Sequence, residues 1–254
     1  MVAALTAWAR PLQMEGRRLG IRITDGQLRA FDAYLRALLE SNRRVNLTSI
    51  TDPQQVATTH FLDSLTCLLA APFPHAAAVA DVGSGAGLPG IPLAIARPDL
   101  RVTLIESTGK KCRFLERVVG ILGLGKAGVA CARAEAVGHD PEHRESYDVV
   151  VARALAEAAV AAELCLPLAK VGGAVMLMKG PHAAEEIDRA GAAISILGGE
   201  VEAARRFTIN APGEALSRTI IVVRKNRPTP DAYPRAPGRP GKRPLGIDTR
   251  RREG

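Results

Sequence analysis

Apolar residues in the first part of the chain, residues 1–75, follow a helical spacing. After a candidate N-cap at Asp25, large apolar side chains recur every three or four positions, as on the buried face of a helix. These side chains are Leu28, Phe31, Leu35, Leu38 and Leu39. A second helix is predicted after Asp52, because Pro53 suits the first helical position, where a missing N–H costs no hydrogen bond. The pattern therefore predicts a helical N-terminal extension.

Short apolar runs alternate with helical segments over residues 76–225. Five strands are predicted in succession, at 78–82, 101–105, 128–131, 149–151 and 171–178. Helices are predicted between them, at 89–97, at 108–122 and from about 152 to 169. Strands that alternate with helices indicate right-handed crossovers and a parallel sheet covered on both faces.

The last two predicted strands, 206–209 and 218–224, are joined by a loop around Pro212-Gly213 with no helix between them. This spacing predicts an antiparallel pair at the edge of the sheet. The chain is thus expected to be an α/β protein with a mostly parallel sheet, an antiparallel final strand and a helical extension at its N-terminus.

The positive charge is concentrated near the C-terminus. Residues 224–254 contain ten Lys/Arg and three Asp/Glu, so they carry +7 of the net charge of +8, together with six of the 17 prolines. A basic segment of this kind favours an anionic partner such as nucleic acid, and a solvated disordered end is the alternative. Three segments are expected: a helical extension (1–75), an α/β domain (76–225) and an extended basic arm (226–254).

Cysteine usage and hydropathy exclude other classes of protein. The four cysteines form no C-x-x-C pair, which argues against a metal site and against a disulfide framework. Each is expected to be a small buried apolar residue. They are Cys67, Cys112, Cys131 and Cys165. No apolar run reaches about 18 residues and the N-terminus does not resemble a signal peptide, so a cytoplasmic protein without a membrane span is expected. A monomer is expected as well.

A glycine loop follows the first predicted strand. Gly85, Gly87 and Gly90 match the G-x-G-x-x-G spacing of dinucleotide sites. In the other register, Asp81 precedes Gly83, Gly85 and Gly87, which is the acidic residue followed by G-x-G-x-G typical of S-adenosylmethionine sites. The glycines alone do not distinguish the two cofactors.

Glu106 ends the next predicted strand, 23 residues after Gly83. An acidic residue at this point can accept hydrogen bonds from ribose hydroxyls, and either nucleoside cofactor has them. The antiparallel pair at the end favours the methyl donor over a nicotinamide, and an NAD-dependent oxidoreductase is the alternative. The predicted fold class is therefore the Rossmann-like class I S-adenosylmethionine methyltransferase.

Further motifs occur along the chain. They are Asn46-Leu47-Thr48, His60-Phe61-Leu62-Asp63-Ser64-Leu65, Lys110-Lys111-Cys112-Arg113-Phe114-Leu115, Ala152-Arg153-Ala154, Met178-Lys179-Gly180, Tyr233-Pro234-Arg235 and Lys242-Arg243-Pro244-Leu245. Together with the glycine loop, they resemble the RsmG family, also called glucose-inhibited division protein B, over about residues 30–245.

This resemblance implies a methyltransferase that acts on N7 of a guanine in the decoding region of 16S ribosomal RNA. Glu106 is added to the cofactor contacts from its place at a strand end. The contacts that the resemblance itself implies fall on Gly83, Leu88, Ala134, Glu135 and Arg153.

The residues after the fourth strand agree with this chemistry. Amino-group methyltransferases usually carry Asp/Asn-Pro-Pro-aromatic there, whereas this chain has Ala152-Arg153-Ala154-Leu155. Methylation of pyrimidine C5 needs a cysteine nucleophile, and Cys165 lies inside a predicted helix. Guanine N7 offers an in-plane lone pair and loses no proton, so positioning suffices and no general base is required. No catalytic residue is assigned.

Aromatic residues make up only 4% of the chain, so RNA contacts are expected to be mainly to phosphate. Lys110, Lys111 and Arg113 lie near the start of a predicted helix, where cations oppose the helix dipole. We hypothesise that they face RNA, with a solvated basic face as the alternative. Further candidates in the arm are Arg235, Lys242 and Arg243.

Three more residues are candidates for contact with the target nucleotide. Lys179 follows the fifth strand, at the edge where parallel sheets bind ligands. His60 and Asp63 lie three residues apart on one helix face, where they either hold the base or have a structural role. Two other functions stay open: methylation of another substrate such as a protein, and RNA binding without catalysis.

Overall fold

A computed structural model describes residues 7–246 of the chain. Its centre is a seven-stranded sheet in the order β3-β2-β1-β4-β5-β7-β6. The strands are β1 (Ala78–Val82), β2 (Arg101–Glu106), β3 (Ala127–Cys131), β4 (Tyr147–Arg153), β5 (Ala169–Lys179), β6 (Gly199–Ala211) and β7 (Glu214–Lys225). The first five are parallel, and β7 pairs antiparallel with both β5 and β6. The predicted mostly parallel sheet with an antiparallel end is confirmed.

Helices cover both faces of the sheet. They are α1 (Ala9–Arg18), α2 (Asp25–Val45), α3 (Pro53–Gln55), α4 (Asp63–Leu65), α5 (Cys67–Ala70), α6 (Gly90–Ala96), α7 (Gly109–Leu122), α8 (Ala134–Val137), α9 (Ala158–Cys165), α10 (Ala183–Ile196) and α11 (Arg239–Lys242). A π-helix (Val56–Leu62) lies between α3 and α4, and a 3₁₀ turn (Leu166–Leu168) follows α9. Successive residues of β1 point to opposite faces, so Val79 joins one hydrophobic core and Ala80 the other.

The predicted and observed elements differ most in the edge strand β6 and in the alanine-rich helix α10. The bounds of β1 are as predicted, whereas β6 extends well beyond the predicted 206–209. Most residues of β6 are exposed or half-buried, because it is the edge strand, and apolar runs therefore understate its length. Helix α10 was not predicted; its buried face consists largely of alanines, which give a weak hydrophobic signal.

The start of α2 corrects the predicted N-cap. Thr24, not Asp25, is the capping residue: its hydroxyl accepts from the Gln27 N–H, and the Gln27 side chain accepts from the Thr24 N–H. The second predicted start is confirmed, because Asp52 Oδ1 accepts from the Gln55 N–H at 2.8 Å. The chain then continues as the fully buried π-helix.

The N-terminal helices support the glycine loop directly. The ring of Phe61 in the π-helix stacks on Phe31 and Tyr34 of α2, with centroids 4.9 and 5.1 Å apart. The Tyr34 hydroxyl donates to the carbonyl of Ala86 at 2.5 Å. Burial raises the pKa of Tyr34, so the hydroxyl keeps the proton that it donates. The helical extension therefore forms part of the foundation of the loop.

Two cysteines overturn the expectation that none is paired. Cys112 and Cys131 form a disulfide, with their Cα atoms 5.8 Å apart, and Cys131 is exposed. The pairing of β3 with β2 places Cys131 beside Glu106, and α7 returns over the same strand end. This proximity arises from sheet register rather than from sequence spacing. Cys67 and Cys165 are buried and free, as predicted.

Residues 226–246, which we name the C-terminal strap, pack against the α/β body. Here the segment is fixed against the body rather than free in solvent, and residues 247–254 lie outside the described residues. Lys225, fully buried at the end of β7 just before the strap, donates to Glu145 at 3.0 Å and to Thr229 at 2.7 Å. Arg144 donates to the carbonyls of Thr229 and Tyr233 at 2.7 and 2.9 Å. Hydrogen bonds from charged side chains of the body thus hold the strap in place. The division of the chain into three segments stays a prediction.

Neither a membrane-spanning helix nor a metal-binding cluster is found within residues 7–246. Among residues 7–246, no helix combines the length and the apolarity needed to cross a bilayer. The same part of the chain contains no group of three His, Cys, Asp or Glu side chains placed to hold a metal ion.

The Tyr34 hydroxyl offers a test of the coupling between α2 and the glycine loop. Tyr34→Phe leaves the buried Ala86 carbonyl without its donor, and we expect the free energy of unfolding to fall by about 1–3 kcal/mol. Urea denaturation followed by circular dichroism measures the change. Tyr233→Phe is the matched control, because its hydroxyl makes no hydrogen bond within residues 7–246. Equal stability of the two variants would contradict the coupling.

Candidate functional site

The glycine loop leaves the end of β1 in a conformation that favours glycine. Gly83, Gly85 and Gly87 all have positive φ, at 72°, 56° and 92°. A Cβ on Gly83 would lie 2.5 Å from Cδ1 of Leu155, closer than side-chain carbons approach. The loop therefore passes close to the segment after β4, and the positive φ together with this contact disfavours a side chain at position 83.

Asp81, at the end of β1, is fully buried beneath the loop. Its Oδ2 accepts from the Gly90 N–H at 2.9 Å, which ties the strand to the start of α6. Burial raises the pKa of Asp81 to about 7, although the Gly90 hydrogen bond opposes the shift. Its Oδ1 has no partner within residues 7–246. A buried oxygen of this kind calls for a partner, which a bound ligand or water can supply.

Glu106, at the end of β2, also supports the glycine loop. Its Oε2 accepts from the Gly85 N–H at 3.0 Å and its Oε1 from the Thr108 N–H at 2.8 Å. The carboxylate is thus held in one orientation by two backbone amides. Each oxygen has a further lone pair with which to accept from a ribose hydroxyl.

A cleft of about 270 Å³, which we name the loop cleft, opens between the glycine loop and the end of β3. Four residues expected at the cofactor line it, together with Leu155 and part of the strap. The four are Gly83, Glu106, Ala134 and Glu135. The other two expected contacts lie elsewhere: Leu88 is buried in the core, and Arg153 lines a different cleft.

This second cleft, about 420 Å³ in volume, lies beyond the ends of β4 and β5, and we name it the arginine cleft. Arg153 and Arg218 both approach Oδ2 of Asp63, at 3.3 and 3.4 Å. Asp63 is only 1% exposed, and its Oδ1 has no partner within residues 7–246. Ala156 lines both clefts, so they are separated only by the segment 154–157.

Backbone strain occurs in this separating segment. Ala154 has φ +51°, a left-handed conformation that costs a non-glycine residue roughly 1–2 kcal/mol. Strain of this kind persists only where the surrounding contacts impose it, and it is common at functional sites. Here it turns the chain sharply after β4 and brings Leu155 against Gly83.

His60 lies behind the arginine cleft and is structurally engaged at both ring nitrogens. Nε2 is 2.7 Å from the Thr48 hydroxyl, and Nδ1 is 3.2 Å from the guanidinium of Arg153. Burial and the neighbouring Arg153 lower the pKa of His60 to about 4, so the ring is neutral at pH 7. Its geometry suits the orientation of Arg153 rather than proton transfer.

Lys179 lines the arginine cleft but already has partners. Its ammonium group donates to the Ala156 carbonyl and lies 2.7 Å from Glu186. It therefore braces the segment between the two clefts. Arg218 was missed by the sequence analysis; a signal was available, since it is a charged residue at the start of an apolar run in the last strand.

A third, larger groove of about 600 Å³ lies where the end of α2 meets the start of α7. We name it the basic groove, since one acid, Glu40, faces five cations along it. The Glu40 carboxylate is 2.7 Å from Arg117. The cations are Arg43, Arg44, Lys110, Arg113 and Arg117. Lys111 is half-buried and is not among the lining residues.

The three RNA candidates of the strap divide into two kinds. Arg235 turns inward and binds Glu163, with Nε and Nη2 at 2.8 and 2.5 Å from its carboxylate oxygens. We assign it to anchoring the strap rather than to RNA. Lys242 and Arg243 are exposed and directly follow Gly241, which lines the loop cleft.

Comparison with known proteins decides what this site belongs to. The family described as rRNA small subunit methyltransferase G matches residues 27–214. The chain belongs to this family. It is 50% identical over 241 residues to a Ribosomal RNA small subunit methyltransferase G of Pelotomaculum thermopropionicum, covering 95% of this chain and all of that protein. The protein of the same name from Roseiflexus sp. is 49% identical, over 90% of this chain and 96% of that protein.

Solved structures of low identity show the fold. A mutant of MtNAS in complex with S-adenosylmethionine superposes with a TM-score of 0.52 at 15% identity, over 76% of this chain and 73% of that chain. The Rossmann-like class I methyltransferase fold is thereby confirmed. Membership of the family confirms a methyltransferase of small-subunit ribosomal RNA that uses S-adenosylmethionine, and it removes the NAD-dependent alternative.

The residues of the loop cleft fit this donor. Glu106 supplies acceptors for ribose hydroxyls, and Gly83 lets the ligand approach the backbone. Asp81 does not line the cleft; it supports the glycine loop from beneath. No phosphate-binding helix start is needed, since the donor carries no phosphate. When bound, S-adenosylmethionine supplies an electrophilic methyl group on a sulfonium.

Gly83 tests the placement of the donor. Gly83→Ala adds a methyl group at positive φ and against Leu155, so we expect S-adenosylmethionine to bind at least about tenfold more weakly. Isothermal titration measures the dissociation constant. Gly191→Ala, at an exposed position of α10 where an added Cβ meets no neighbouring atom, is the matched control. Wild-type affinity in Gly83→Ala would place the donor elsewhere.

Proposed function

We propose that the protein transfers the methyl group of S-adenosylmethionine to N7 of a guanine in the decoding region of 16S ribosomal RNA. It would do so in the cytoplasm, where ribosomal subunits are found, and as a monomer, since one chain forms both clefts. The observation that carries the proposal is the adjacency of the two clefts, which share Ala156. One has the residues for the donor, and the other has room for a flipped-out nucleotide.

The chain's own residues act mainly by positioning. Arg153 and Arg218 present guanidinium groups to a nucleotide in the arginine cleft, whose acceptors include phosphate oxygens and O6 of guanine. Asp63 holds both guanidinium groups and limits their conformational freedom. The separating segment 154–157 then sets the distance between N7 and the methyl group.

Two candidate proton-transfer groups at the arginine cleft, His60 and Lys179, are already engaged, which supports N7 as the acceptor. His60 is neutral at pH 7 and both of its nitrogens are engaged. Lys179 is paired with Glu186. Methylation at N7 removes no proton, so alignment of the lone pair with the sulfonium provides most of the acceleration.

A methylation assay tests the proposal. Small-subunit RNA from cells that lack this gene, offered both free and in assembled subunits, is incubated with the protein and labelled S-adenosylmethionine. We expect label at one guanine of 16S RNA, located by chain cleavage specific for 7-methylguanine. Gly83→Ala serves as the donor-deficient control. Label on another base would overturn the N7 assignment, and label on a ribosomal protein would overturn the RNA substrate.

The basic groove is the proposed docking surface for RNA phosphates. Affinity that arises from phosphate contacts falls with salt, by roughly 0.7–0.9 in log–log slope for each contact. We expect the triple variant Lys110→Ala/Lys111→Ala/Arg113→Ala to reduce the slope by about two. Most of the change should come from Lys110 and Arg113, because Lys111 is half-buried.

The matched control for this measurement lies at the other end of the sheet. Arg101 and Lys126 are exposed at the starts of β2 and β3, opposite the clefts. The variant Arg101→Ala/Lys126→Ala should bind RNA with nearly the wild-type slope in filter binding across a salt series. An unchanged slope in the triple variant would contradict docking at the basic groove.

A further inference from the structure

The strap forms one side of the loop cleft. Gly238, Pro240 and Gly241 line it, across from Gly83 and Glu106. The Gly238 N–H donates to Oε1 of Glu135 at 3.0 Å, and Arg133 donates to the same oxygen at 2.9 Å. A segment that is distant in sequence therefore completes the wall of this cleft.

The order of the strands indicates which part of the donor the strap faces. Starting from the β1 loop, β2 with Glu106 comes next and β3 lies beyond it. If Glu106 binds the ribose, the base extends toward the end of β3, where Ala134 and Glu135 begin α8. The strap contacts this end, through Glu135. It is thus placed at the adenine rather than at the sulfonium.

The chemistry of this end suits a flat apolar ring. Several apolar side chains surround it, and the strap adds the buried ring of Pro240. The apolar side chains are Ile105, Leu155, Val160 and Leu164. Gly241 has no atom within 4 Å of an added Cβ, so the strap backbone passes the cleft with open space beside it.

An ion pair outside the cleft fixes the strap in this position. Glu163 of α9 is fully buried, and its carboxylate accepts from the backbone N–H, Nε and Nη2 of Arg235 at 2.9, 2.8 and 2.5 Å. Glu163 does not line the loop cleft. Arg235 lies three residues before Gly238, so the pair determines where the cleft-lining residues lie.

We propose that the strap is a working part of the donor site: Pro240 and Gly241 enclose the adenine of S-adenosylmethionine, and the Glu163–Arg235 pair positions them. This inference rests on the proposed placement of the donor in the loop cleft. It assigns Arg235 as a positioning residue for donor binding, and it explains why a basic, proline-rich segment is tied down by buried acids.

Hydrogen exchange of the wild-type protein is the first test, with S-adenosylhomocysteine as the probe. We expect the probe to slow exchange in two separate places, the glycine loop (83–88) and the strap (236–243). Protection of the loop without the strap would overturn the inference and leave the donor placement intact. Protection of neither would overturn the donor placement itself.

A variant pair tests the anchor. Glu163→Gln keeps the shape of the side chain but leaves the Arg235 guanidinium without its carboxylate, so we expect about tenfold weaker S-adenosylhomocysteine binding by titration. RNA binding at fixed salt should stay near the wild-type value. Arg239→Ala, at an exposed strap position, is the matched control and should bind the probe normally. Equal probe affinity in the two variants would overturn the role of the anchor.

Discussion

The hydrogen bond between the Gly90 N–H and Oδ2 of Asp81 is the interaction on which the rest of the site depends. It joins the end of β1 to the start of α6 and so closes the glycine loop over a buried carboxylate. A Cβ on Gly90 would lie 2.8 Å from that oxygen, which is why glycine stands there. The loop in turn positions Gly83 against Leu155, and the loop cleft follows from that contact.

The site also depends on parts of the chain that lie far from the loop. The Tyr34 hydroxyl supports the loop from α2, and Asp63 at the end of the π-helix orients both arginines of the second cleft. The strap closes the first cleft from the C-terminal side. N-terminal helices and C-terminal strap thus meet at the carboxyl edge of one sheet, where parallel strands bind ligands.

Local signals in the sequence sufficed for elements whose chemistry is local. The bounds of β1, the glycine loop and the helix start at Asp52 were all predicted, because turn geometry and capping involve residues within a few positions of one another. The prediction that Glu106 contacts the cofactor rested only on its position at the end of a strand, and the structure places it in the loop cleft. Edge strand β6 and alanine-rich α10 were underestimated or missed, since their burial depends on neighbours.

By itself, the sequence determined the class of fold, the donor loop and the resemblance to a family of RNA methyltransferases. Only the tertiary structure decided which charges face inward and which cysteines meet. Arg235 finds Glu163 across 72 residues, and Cys131 reaches Cys112 through the register of β3 on β2. Arg153 lies in the arginine cleft because its guanidinium group pairs with Asp63 there. A buried charge must be paired, and its partner can lie anywhere along the chain. Composition therefore does not show which residue the partner is.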